Sequence, residues 1–148
     1  MSGSLAHSPA MILRQALVDL ALGTAPADAG NWPVYVSQEP DSPDSVITVY
    51  DTAGVKDGRD QVSGRVYEHY GAQVRVRDAN HAEGYAKAQT VAVALDESLR
   101  LRVVTVSGSR YVVYGVTRTG TVLSLGKDVA TSKRNLFTFN VLVALRAL

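Results

Sequence analysis

Three histidines, a run of aspartates between positions 41 and 60, and three small groups of basic residues are where this sequence could do chemistry. A metal centre would need His, Cys or carboxylate ligands at fixed spacing. His7, His69 and His81 contain no His-x-x-x-His pair, and there is no cysteine to assist. His69 falls on the polar side of a strand and His81 at a helix start, so structural or surface roles are expected, with no metal and no cofactor. Asp41, Asp44, Asp51, Asp57 and Asp60 raise two further possibilities, calcium binding and acid–base hydrolysis. The stretch from Asp51 to Asp57 lacks the alternating oxygen ligands of an EF-hand loop, and Val62 stands where its closing glutamate belongs. A small hydrolase using Asp57 or Asp60 with His69 lacks any spaced constellation of acid and base. Turn chemistry accounts for these aspartates, since Asp bonds its own backbone in turns.

The glycines form neither a Gly-x-Gly-x-x-Gly turn nor a phosphate-binding loop, and Val106-Ser107-Gly108-Ser109 lacks the spacing of a nucleophile elbow. The basic groups are Lys56 with Arg59, Arg75 with Arg77, and Lys127 with Lys133 and Arg134. Arg75 and Arg77 alternate with Val74 and Val76, the pattern of a solvated sheet face. A nucleic-acid-binding module would rest on Arg75, Arg77, Lys133 and Arg134. Fifteen basic residues against fourteen acidic ones, a formal charge of +1, argue against a dedicated binder of that kind. No catalytic residue is expected, and no enzyme.

The elements that would position these groups read as one α+β domain over residues 1–148, with 1–7 flexible. A largely antiparallel mixed sheet carries two helices on one face and a long projecting hairpin. Hydrophobic content of 46% in 148 residues is enough for a core without disulfides or metals. No apolar run is long enough to cross a bilayer, and Met1 to Ala10 lacks the features of a signal peptide. The protein is expected to be soluble and to be made in the cytoplasm.

A first helix is expected from Ser8 as N-cap and Pro9 at its first position, with Leu13, Ala16, Leu17 and Leu20 at helical spacing and Gly23 ending it. Strands follow at residues 32–38 and 45–52, then a twelve-residue loop, 53–64. Residues 65–77 alternate, with Val66, Tyr70, Ala72, Val74 and Val76 on one face. Thirteen residues at roughly 3.3 Å each would span about 43 Å. Either Gly71 marks a bulge, or one end projects beyond the body with the long loop at its tip. A second helix runs over residues 81–98 from a cap at Asn80, with Tyr85, Ala88, Val91, Ala92 and Leu95 as its apolar stripe and a Glu83–Lys87 pair on its far side. Strands at 100–106 and 111–118 flank the turn Ser107-Gly108-Ser109. A short strand, 122–125, precedes a second polar loop, 126–135. Residues 136–145 close the sheet, with Phe137, Phe139, Val141, Val143 and Leu145 on one face.

That order of elements resembles the tail-terminator and minor capsid (tail completion) proteins of long-tailed bacteriophages. Trp32-Pro33-Val34-Tyr35-Val36-Ser37-Gln38-Glu39-Pro40-Asp41 looks like their first strand and its exit. Ile47-Thr48-Val49-Tyr50-Asp51-Thr52-Ala53-Gly54 looks like the second strand, and His69-Tyr70-Gly71-Ala72-Gln73-Val74-Arg75-Val76-Arg77 like the third. Leu125-Gly126-Lys127-Asp128, followed by Leu136-Phe137-Thr138-Phe139-Asn140, resembles the closing segment. The resemblance implies a structural virion protein that forms a hexameric ring on the head-proximal end of the tail tube. It further implies that the ring stops tube polymerisation and offers a docking surface for the head or neck. The implied partners are further copies of the chain, the tail-tube protein and a head or neck connector, with no membrane and with DNA only passing through the lumen. A head-completion or neck protein is the alternative within virion assembly. Loop length and charge make Asp51, Lys56, Asp57, Arg59, Asp60, Lys127, Asp128, Lys133 and Arg134 the candidate assembly residues.

Overall fold

Helix α1 (Pro9–Asp19) begins where it was expected to begin. The Ser8 hydroxyl accepts the Met11 N–H at 3.3 Å, and Pro9 occupies the first turn. Its end differs from the expectation. The Ala21 N–H reaches the Val18 carbonyl and the Leu22 N–H reaches the Leu17 carbonyl, which is a Schellman closure with its left-handed residue two positions before Gly23. Ala21 therefore holds the left-handed position, at φ 60. Gly23 instead packs against Val34 and the Trp32 carbonyl, where a Cβ would lie 2.5 and 2.7 Å away. A left-handed alanine is strained by about 1–2 kcal/mol, and glycine loses about 0.5–1 kcal/mol more chain entropy on folding. Ala21→Gly should therefore raise stability by about 0.5–1 kcal/mol, a rise of about 1–4 °C in the midpoint of a thermal melt. A lowered midpoint would contradict this assignment of the cap.

In this computed structural model, residues 5–28, 30–59, 62, 66–128 and 133–148 are described, with the backbone alone at 57–59, 66 and 67. After α1 come β1 (Val34–Val36), β2 (Val46–Arg59), β3 (Val66–Asp78), α2 (His81–Ser98), β4 (Arg102–Val106), β5 (Ser109–Arg118), β6 (Leu123–Lys127) and β7 (Asn135–Ala147). The strands form one seven-stranded sheet in the order β1-β2-β3-β7-β5-β4, with β6 also paired to β7. Among the described residues the β1–β2 strand pairing is parallel, as is the isolated Thr24–Pro33 bridge before it, and the other strand pairings are antiparallel. The long β7 is the spine: β3 lies along one side of it, while β6 and then β5 share the other. This is the α+β fold read from the sequence, with both helices on one face.

The sheet curls, so α1 touches β1 and β2 near one end and β4 at the other, while α2 covers β3, β7 and β5. Between helices and sheet lies the core of Ile12, Leu13, Leu17, Ile47, Val49, Val74, Val76, Val91, Leu95, Val104, Tyr111, Phe137 and Phe139. Each side chain of this size contributes roughly 1.5–3 kcal/mol by leaving water. Alternation on β7 holds, because Phe137, Phe139, Val141, Val143 and Leu145 are all buried. Helix α2 has the expected bounds, and the Asn80 side chain accepts the Glu83 N–H at 3.1 Å. Its stripe is corrected at one position. Gly84 is buried and Tyr85 is 42% exposed, because the Phe137 ring lies under Gly84 and a Cβ there would be 2.8 Å from it.

Two strand boundaries also change. The first strand contracts from 32–38 to three residues, because Trp32 and Ser37 take positive φ at its two ends. The second runs on to Arg59 through much of what reads as a loop. Register shifts between Thr52 and Val55 and between Lys56 and Gly58 absorb the turn-forming residues into bulges, so pairing with β3 continues. The β4–β5 turn is tight: Val106 pairs with Ser109, and Ser107 and Gly108 both have positive φ, as a two-residue hairpin requires.

Candidate functional site

The body of the sheet stops supporting the β2–β3 hairpin about halfway along it. Pairing of β1 to β2 ends at Val49, and pairing of β7 to β3 begins at Tyr70. Beyond that point, among the described residues, β2 and β3 pair only with each other, as a two-stranded ribbon. Residues 51–56 are all exposed, among them Val55 at 50%. At the base, the Asp51 carboxylate accepts the Ala10 N–H at 2.9 Å, placing a negative group at the amino end of α1. Gly54 and Gly71 let the two backbones approach closely there. A Cβ on Gly54 would sit 2.1 Å from the His69 carbonyl, and one on Gly71 would sit 2.3 Å from the Ala53 carbonyl. Gly71 thus lies opposite the bulge at the point where the ribbon leaves the body. Lys56 is exposed farther out, Asp57 and Arg59 lie on the strand beyond it, and Asp60 is outside the described residues. Burial, with Glu68 adding to it, pushes the Tyr70 phenol above its usual pKa.

The second group of candidates divides by burial. Arg134 donates through Nε and Nη2 to the Asp128 carboxylate at 2.9 and 2.6 Å, and both residues are buried. Asp128 N–H also bonds the Arg134 carbonyl at 2.8 Å, closing the neck of the 128–134 loop. The remaining guanidinium nitrogen reaches the Asp41 carbonyl and lies 3.8 Å from the Asp44 carboxylate. One cation therefore ties two loops together. Lys127 and Lys133, by contrast, are exposed.

Arg75 and Arg77 do not form the solvated face that their alternation suggests. The segment 39–44 folds over them. Arg77, 3% exposed, donates to the Pro43 carbonyl at 2.7 Å, the Asp44 carbonyl at 3.3 Å and the Glu39 carboxylate at 3.2 Å. Arg75 stands 3.5 Å from the other Glu39 oxygen and lies over the Tyr50 ring at 5.4 Å. Burial raises the Tyr50 pKa, Glu39 adds to the rise, and the two guanidinium groups oppose it. Arg77 is buried and Arg75 is half-buried beside Glu39; with Arg134 buried against Asp128, three of the four residues on which a nucleic-acid reading rested are engaged within the fold.

Among the described residues no group of three His, Asp or Glu side chains is placed to hold a metal ion. His7 bonds the Tyr111 hydroxyl at 2.6 Å, and His81 packs edge-on against Phe137 at 5.1 Å. Lys87 stands over the Trp32 ring at 5.3 Å rather than pairing with Glu83, and burial lowers its pKa. Sequence reasoning missed the side of β4, β5 and β7 that faces away from the helices. There Val103 pairs with Val112, which pairs in turn with Arg146. Val103 is 45% and Tyr114 44% exposed on this surface. Its signal was available in the alternate residues of strands whose other side is core.

A family model described as bacteriophage tail terminator protein matches residues 16–129. No curated protein matches significantly. Of the solved structures, a chain from the virion of a native gene transfer agent particle is 15% identical, covering 76% of this chain and 78% of that one, with a TM-score of 0.48. A second solved chain is 16% identical over 95% of this chain and 96% of its own length, with a TM-score of 0.46.

Proposed function

The chain belongs to the bacteriophage tail terminator family, and from that premise we propose that it assembles as a hexameric ring on the head-proximal end of the tail tube. A structural protein of the phage tail, located in the virion, is what the family gives. The ring would stop tube polymerisation and present a docking surface to the head or neck connector, with DNA passing only through its lumen. The whole chain, 1–148, would act as one domain in this role. The observation that carries the reading is the two-stranded ribbon, which continues beyond its pairing with β1 and β7 and leaves residues 51–56 exposed. An isolated hairpin of this kind is marginally stable in water, so it is suited to gaining order against a partner. A head-to-tail interface closes into a ring when its rotation allows, at roughly 800 Å² per partner. Asp51, Lys56, Asp57 and Arg59 on the ribbon, Asp60 next to them in sequence, and Lys127 and Lys133 near the 128–134 loop, would lie at or near such contacts. Asp128 and Arg134 would act from beneath, by holding that loop in shape.

Six copies of a 15.8 kDa chain give about 95 kDa by light scattering and a closed ring in negative stain. Deletion of residues 56–60 should abolish the ring in solution and give tails of irregular length in infected cells. A monomer at every concentration, or normal tails and infectivity after the deletion, would overturn the proposal.

A further inference from the structure

The near-zero net charge conceals a strong division along the chain. Residues 98–148 carry eight Lys and Arg and a single acid, Asp128, whereas residues 1–97 carry seven Lys and Arg against thirteen Asp and Glu. The fold keeps part of this division in space: β4, β5 and the end of β7 lie at the far side of the sheet from β1, whereas Arg134 at the start of β7 stands against Asp41 and Asp44. On the helix-free face of β4, β5 and the end of β7, the row Val103–Val112–Arg146 lies beside the Thr105–Arg110 pair. Tyr114 is exposed on the same surface, where β5 bulges between Val113 and Gly115. The result is an apolar centre with guanidinium groups around it, the composition of an interface core and rim. Asp128, the one acid of the segment, is buried against Arg134 and offsets nothing here.

Of the exposed acids among the described residues, four lie around the other end of the sheet, while Asp51 is on β2 and Glu83 and Glu97 are on α2. Asp19 ends α1, Asp28 precedes the edge strand β1, and Asp41 and Asp44 follow it; all four are exposed. We propose that these two surfaces meet between copies of this chain: the arginine-rimmed face of β4, β5 and β7 docks on the acidic surface around β1 of the next copy. A two-fold pairing of basic face with basic face would set Arg110 and Arg146 against themselves, and like charges brought together oppose association. The contact is therefore heterologous, head to tail. This rests on the ring reading and specifies which faces form it, together with a dependence on salt.

Two double variants test it, Arg110→Glu with Arg146→Glu, and Asp28→Lys with Asp41→Lys, each checked for native circular dichroism. Each alone should be monomeric at concentrations where the unaltered chain assembles. Mixed in equal amounts they should assemble again, since the intact basic face of one meets the intact acidic face of the other and the two charge-reversed faces are complementary as well. Assembly of the unaltered chain should weaken at least about tenfold between 0.05 and 1 M salt, as the screening length falls to roughly 3 Å. The single change Arg110→Gln, on an exposed side chain, should weaken it about threefold and provides the reading if a double variant fails to fold. Variants that assemble like the unaltered chain, or a mixture that stays monomeric, would overturn the proposal and leave the ring intact. A chain that never assembles would overturn both. Binding of duplex DNA lost with Arg110→Glu and Arg146→Glu, at unchanged oligomeric state, would assign the face to nucleic acid instead.

Discussion

Arg134→Ala is expected to cost about 3–5 kcal/mol, a large share of the about 5–15 kcal/mol that holds a domain folded. Three features set the size of this effect. Both members of the Asp128–Arg134 pair are buried, so truncating the arginine leaves a carboxylate without its counter-charge and without water to replace it. The same side chain reaches the Asp41 carbonyl, 93 residues away in sequence, so the 39–44 segment over Arg75 and Arg77 loses an anchor as well. The pair also closes the loop neck beside β6 and the start of β7. Denaturant titration should show the loss as a lowered midpoint. Lys133→Ala, one residue away and exposed, should change stability by no more than about 0.5 kcal/mol. The double variant Asp128→Ala with Arg134→Ala should be more stable than Arg134→Ala alone, because it removes the stranded charge. Equal effects at 133 and 134 would show that the buried pair holds nothing together.

Whether such features could be read beforehand depends on how local their causes are. Helix α2 was legible because its cap, its small residues and its period all lie within one segment, and the Asn80 cap is where the sequence put it. The alternation of β7 was legible for the same reason. The extension of β2 was not, because its bulges interrupt the two-residue period and present Gly54, Asp57 and Gly58 as turn residues. Burial of Arg77 depends on carbonyls of Pro43 and Asp44 brought over it by the chain's path, and alternation on β3 carries no trace of that. Asp128 and Arg134 were picked out for their charge in a polar loop, and the structure gives them a partner inside the same loop. The charge division was open to counting all along; averaging over the whole chain to +1 hid it.

Gly71→Ala should destabilise the fold by about 1–3 kcal/mol and dislodge the ribbon, although it adds only one methyl group. The atoms that methyl would meet are mostly backbone: the Ala53 carbonyl oxygen at 2.3 Å and its carbon at 2.9 Å, with the Thr52 hydroxyl at 2.5 Å. No rotamer change can clear a backbone carbonyl, so the two strands must part at the bulge. Gly54 faces the same crossing from the other strand, 2.1 Å from the His69 carbonyl, and Gly54→Ala should act in the same direction. Gly115→Ala is the control, since a Cβ there meets nothing within 4 Å. Amide exchange should separate the two effects of Gly71→Ala. Protection should fall in Val55 and Lys56 and in their partners His69 and Glu68, while the core pairs Val74–Phe139 and Val76–Phe137 keep theirs. If the ribbon's contribution to assembly depends on the direction in which it leaves the body, the ring should be lost with the crossing even where the core survives. A Gly71→Ala chain with unaltered melting and intact rings would show that the close approach of the two strands sets neither stability nor aim.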